Sequence, residues 1–115
     1  MNLIKEKSYA FALEIVKYYK YLTNDKKEYV MSKQLLKSGT AIGANYREAE
    51  HAESKADFIH KLSIAQKESN ETMYWIDLLN KSGYLNDEDS EILRKEIKSI
   101  AKIITRIILT TKAKS

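Results

Sequence analysis

A chain of 115 residues with no cysteine, no proline and a net charge of +4 is bounded before any motif is read. The missing cysteine excludes a disulfide scaffold and thiolate metal sites and fits a reducing compartment. No run of about 18 apolar residues is present to cross a bilayer.

The length suits one domain, residues 1–115, with a single sizeable core. Freedom from proline, with abundant Lys, Glu, Ile, Leu and Ala, favours long uninterrupted helices. The first residues lack the apolar core of a signal peptide, so a cytoplasmic protein is expected. Charge is unevenly placed. Residues 1–47 hold nine basic and four acidic side chains, residues 48–91 four and eleven, and the remainder seven and one. Basic ends around an acidic middle can attract nucleic acid or an acidic partner, although a solvated helix face gives the same pattern.

The first helix is expected over about residues 8–23, with Phe11, Ile15, Tyr18 and Leu22 turned inward. Tyr9, Tyr18, Tyr19 and Tyr21 make it rich in tyrosine. Such residues stack on bases when exposed, but packing with the hydroxyl at the boundary is the commoner use. Thr23-Asn24-Asp25 ends the helix, and residues 26–30 form a polar connector without a defined pattern.

The second helix is expected over 31–53 and the third over 55–82, joined by a tight turn at Glu53 and Ser54. Steps of four and three give an inward stripe Met31, Leu35, Ser38, Ile42, Asn45, Ala49, Ala52. Gly39 and Gly43 each cost a helix about 1 kcal/mol relative to alanine, which predicts a close helix crossing at both. Ser54 to Asp57 reads as a capping box. The third stripe is Phe58, Leu62, Ala65, Ser69, Thr72, Ile76, Leu79. An antiparallel turn sets Ser69 and Thr72 level with Ser38 and Gly39, so a polar seam should fix the register.

Gly83 sits where a left-handed C′ residue ends a helix, and Asn86 is placed as the N-cap of the fourth. That helix, over 87–111, has the stripe Leu93, Ile97, Ile100, Ile104, Ile107, with Ile103, Ile108 and Leu109 beside it. Its apolar arc is broader than one seam needs, which predicts a second subunit against it. Lys95, Lys98, Lys102 and Arg106 recur every three or four residues on another side. With short links the four helices make an all-α, up-down-up-down antiparallel four-helix bundle.

Chemistry is sparse. Glu48 with His51 and Asp57 with His60 have the acid-x-x-His spacing of di-iron bundles, but such sites need further carboxylates from the other two helices. Both pairs flank one turn at the bundle end, so no metal and no cofactor is assigned. No nucleophile motif or phosphate loop is present. Glu48, Glu68 and Glu71 are placed for hydrogen bonding rather than acid–base work, so no enzyme activity is expected.

The segments GTAIGANYREA (39–49), SKADFIHKLSIAQKESNET (54–72) and SGYL (82–85) resemble the four-helix bundle proteins encoded in intervening sequences of 23S ribosomal RNA genes. That family is related to the accessory variability protein of diversity-generating retroelements. The resemblance implies a bacterial protein that assembles as a ring-like homopentamer. It also implies nucleic-acid binding through a basic surface, in the retroelement branch beside a reverse transcriptase. The residues placed for such binding are Lys95, Lys98, Lys102 and Arg106, with Lys17 and Lys20 as secondary candidates. The alternative is a structural or protein-interaction module, such as a reverse-transcriptase accessory or scaffold, whose basic faces serve only solubility or subunit choice.

Overall fold

The structure, a computed structural model, describes residues 2–114. It contains four helices: α1 (Leu3–Asn24), α2 (Met31–Ala49), α3 (Lys55–Lys81) and α4 (Asp87–Ala113). No strand occurs among the described residues. Each helix packs against its chain neighbour, and α4 closes back on α1, giving an up-down-up-down four-helix bundle of 50 × 23 × 21 Å. Ile15, Leu22, Leu35, Ile42, Leu62, Ile76, Leu79, Ile97 and Ile104 are among the side chains shut away from water along its axis.

The helix ends follow from local chemistry. Asn2, Ser54 and Asn86 each accept a hydrogen bond from a backbone N–H in the first turn of α1, α3 and α4, satisfying donors that a helix start leaves free. The Asp57 carboxylate reaches back to Glu53 N–H at 3.3 Å, so the box closes one residue earlier than the motif implies. Gly83, at φ +89°, ends α3. Tyr84 N–H donates to Leu79 O at 2.9 Å and Gly83 N–H to Asn80 O at 3.1 Å, a Schellman closure.

α2 starts differently. Val30 has no capping side chain. Instead the Glu28 carboxylate folds under the helix and accepts from Val30 and Met31 N–H at 3.1 Å each and from Ser32 N–H at 2.7 Å. Ser32 Oγ returns a bond to Glu28 O at 2.7 Å. Reaching that position places Lys27 in the left-handed region, φ 56°. The connector that carried no pattern in the sequence is therefore a built cap.

Boundaries and stripes differ in detail from the sequence reading. α1 begins at Leu3 because Asn2 caps it. α2 stops at Ala49 rather than near 53, and 50–54 form the turn. The α2 stripe drifts from Asn45 to Tyr46, which is buried, while Asn45 and Phe58 are half-buried. Asn45 Nδ2 donates to Ala41 O at 2.8 Å on its own helix, so it takes no part in the seam. On α4, Ile108 fills the core and Ile107 is half-buried. A period of 3.6 residues, not 3.5, carries each stripe round the helix in this way.

Candidate nucleic-acid interface

Leu93, Ile97, Ile100, Ile104 and Ile108 anchor α4 in the core, and this fixes what its opposite side shows. Lys95, Lys98, Lys102 and Arg106 all point into solvent there. At 1.5 Å rise per residue they stand about 4.5, 6 and 6 Å apart along the axis. None of the four takes part in an ion pair among the described residues. Arg94, on the same helix, is spent differently: Nε lies 2.7 Å from Asp77 Oδ1 and Nη2 donates to Asn80 Oδ1 at 3.2 Å, tying α4 to α3.

The α1 side of the cation row is apolar. Ile103 and Ile107 are half-buried, and Leu3 of α1, 51% exposed, reaches over beside them. Together with Ser99 and the four cations they line an open groove of about 790 Å³. Leu3 was not legible as a groove residue, because its place depends on α1 starting before residue 8. Leu109, 62% exposed, continues the row past Arg106.

Lys17 and Lys20 are exposed but do not join this groove. Antiparallel packing sets that end of α1 beside the acidic start of α4, where Lys17, Tyr18, Tyr21 and Asp89 line a separate cleft of about 250 Å³. The Tyr18 hydroxyl is pushed up to about 12, by burial first and then by the facing Asp89 carboxylate. Lys7, near the other end of α1, was missed by sequence reasoning. Its Nζ donates to Ser99 Oγ at 2.9 Å, at the edge of the cation groove. Beside it, Glu14 and Glu96 face each other across the α1–α4 seam, in a cleft of about 290 Å³. Burial, then repulsion from Glu14, raises the Glu96 pKa above the ordinary carboxylate range, and Lys7 partly offsets this.

The two acid-x-x-His pairs do not converge. His51 shares an open cleft with Arg47, Glu48, Glu53, Asp57 and Lys61, and His60 does not line it. Lys61 Nζ lies 3.5 Å from Glu48 Oε1. No group of three or more His, Asp or Glu side chains is placed to hold a metal ion among the described residues. Of the three glutamates, Glu48 and Glu71 are exposed and Glu68 is half-buried, with its pKa raised by burial and then by Glu71.

The family model for the 23S rRNA-intervening sequence protein matches residues 2–106. The chain belongs to that family. A crystal structure of a protein of unknown function from the S23 ribosomal protein family of Bacteroides thetaiotaomicron is similar at 53% identity and a TM-score of 0.90, covering 91% of this chain and 97% of that one. No curated protein matches the chain. For a 23S rRNA-intervening sequence protein the four-helix fold is thus shown both by the chain's own packing and by a solved relative. No helix among the described residues is long and apolar enough to cross a membrane.

Proposed function

We propose that the protein is a non-catalytic, self-associating helical bundle that holds nucleic acid through the outer face of α4 with little sequence preference. The observation that carries this reading is the row Lys95, Lys98, Lys102, Arg106: four exposed cations in single file, none in an ion pair among the described residues. Cations aligned on a rigid rod release counterions when they meet phosphates, and that release supplies sequence-independent affinity. Nothing on the face resembles a base-reading element. Self-association is supported by exposed Leu13 on α1 and Ile92 and Leu109 on α4. Such residues favour burial against a second copy, and repeated weak contacts would add avidity. The assembly we propose is a homopentamer, in the cytoplasm of a bacterium.

A salt titration with structured RNA, duplex DNA and single strands tests the reading. Log affinity should fall with log salt by about 0.9 per phosphate contact on duplex DNA and about 0.7 on single strands. Replacing Lys98, Lys102 and Arg106 with Gln should weaken binding and flatten that slope. Unchanged binding in this variant would make the row a solvated face. No binding by the wild-type chain at low salt would favour the protein-interaction module.

A further inference from the structure

A phosphate-only surface has no use for the apolar flank of the α4 groove. Leu3, Ile103 and Ile107 lie along one side of the cation row, and Leu3 keeps 51% of its surface in water. We infer that the groove takes single-stranded nucleic acid, with phosphates on Lys95, Lys98, Lys102 and Arg106 and unpaired bases laid against Leu3, Ile103 and Ile107. This rests on the nucleic-acid reading of the same face and names the class of ligand.

The geometry separates three anionic ligands. A duplex turns its phosphates outward and keeps the faces of its bases stacked inside, so a helix laid on it meets phosphate, sugar and base edges but no base face. The apolar flank would then have no base face to cover it. A single strand is free to turn successive bases to one side, and each base carries an apolar face that burial against aliphatic groups stabilises. The cation steps of about 6 Å from Lys98 to Lys102 and from Lys102 to Arg106 suit successive phosphates of an extended strand. An acidic amphipathic helix is the third candidate, but its carboxylates flank its apolar stripe on both sides. Here the α1 edge of the groove borders Glu14 and Glu96 around Lys7, which offers an acidic helix no matching row of cations. A single strand needs cations on one side only.

Fluorescence anisotropy at low salt decides the matter, with the full chain and four labelled probes of equal length. These are oligothymidylate, oligouridylate, an abasic deoxyribose-phosphate strand and a duplex. The thymidylate or the uridylate strand should bind about tenfold tighter than the abasic strand, from apolar contact with two or three bases. Which of the two is tighter separates a DNA ligand from an RNA ligand. The variant Leu3→Ser/Ile107→Ser should lose that margin while keeping its salt slope. Leu3→Ser alone, at an exposed position, gives the same direction of change if the double variant does not fold. Equal affinity for abasic and base-bearing strands, or tighter binding of duplex, overturns the single-strand assignment and leaves the nucleic-acid reading standing. Absence of binding to all four probes removes both.

Discussion

Thr72 of α3 and Ser38 of α2 bring their hydroxyl oxygens to 3.0 Å from each other, at a level of the bundle where both residues are buried. Each hydroxyl has one proton. Thr72 Oγ1 also lies 2.7 Å from Glu68 O, so the chain of bonds runs from Ser38 to Thr72 to the α3 backbone. Ser69, one turn away, donates to Ala65 O at 3.0 Å. The buried side-chain polar atoms are all satisfied among the described residues, so the seam fixes register without leaving an orphaned side chain. Thr72→Val should cost about 1 kcal/mol by losing the link and leaving Ser38 one partner short. Ser38→Ala/Thr72→Val should cost less than the sum of the two single changes. A double-mutant cycle in urea measures this, and strict additivity would show the link to be idle.

Gly39 and Gly43 both face α1, and they should behave differently. A Cβ at Gly39 would stand 2.9 Å from Ile15 Cγ1 and 3.0 Å from Cγ2. Ile15 is branched at Cβ and fully buried, so it has little room to yield. Gly39→Ala should therefore destabilise by about 1–3 kcal/mol despite the better helix propensity of alanine. Ile15→Val in that background should recover part of the loss. At Gly43 the nearest atom is Ser8 Oγ, at 3.2 Å. A small adjustment there offsets about 1 kcal/mol of helix propensity, so Gly43→Ala should be close to neutral. Thermal melts of the three variants give the ranking.

Glu28 gives the fold an acid-sensitive point. Burial alone would raise its pKa, but donation from the Ser32, Met31 and Val30 backbone N–H groups outweighs burial and holds it below the ordinary value. A depressed carboxylate contributes stability that is present above its unfolded pKa, about 4.3, and is lost as pH falls through its folded value. Glu28→Gln should lower stability at neutral pH by about 1–2 kcal/mol, the range for lost helix caps, and should flatten the acid limb of the pH profile. An unaltered acid limb would show that the cap does not depend on ionisation.

Glu96 should act in the opposite sense. Its pKa is raised, by burial and then by Glu14. The folded state therefore favours the protonated form, and stability falls as pH rises from about 4.3 upward through the folded value. Glu96→Gln should raise the melting temperature at neutral pH and leave it little changed in acid. Equal shifts at both pH values would point to packing rather than charge.

Ile42→Asp should unfold the chain. Ile42 has no exposed surface, and an unpaired carboxylate in its place would have nothing to offset desolvation. Circular dichroism at neutral pH should show loss of helix. A folded variant would mean that the α2–α3 core opens to water at that level.

The sequence alone determined which stretches are helical and how most of them end. Ser54, Gly83 and Asn86 are local signals, acting through hydrogen bonds and backbone angles within a few residues, and each appears where it was read. The level of Ser38 against Thr72 was legible for a related reason: a short antiparallel turn, found over 50–54, leaves little choice of register. Tertiary structure decided what depends on a partner element. Gly39 meets Ile15 and Gly43 meets Ser8, both on α1, and periodicity on one helix does not name the neighbour it faces. Glu28 became a cap because the chain turns through Lys27 and buries it, which no residue pattern announces. The groove exists only because Leu3 of α1 lies against Ile103 and Ile107 of α4. Antiparallel packing likewise parted Lys17 and Lys20 from the α4 cations, since it sets the end of α1 against the opposite end of α4. Spacing along one helix fixes a stripe, and only packing between helices fixes what lies beside it.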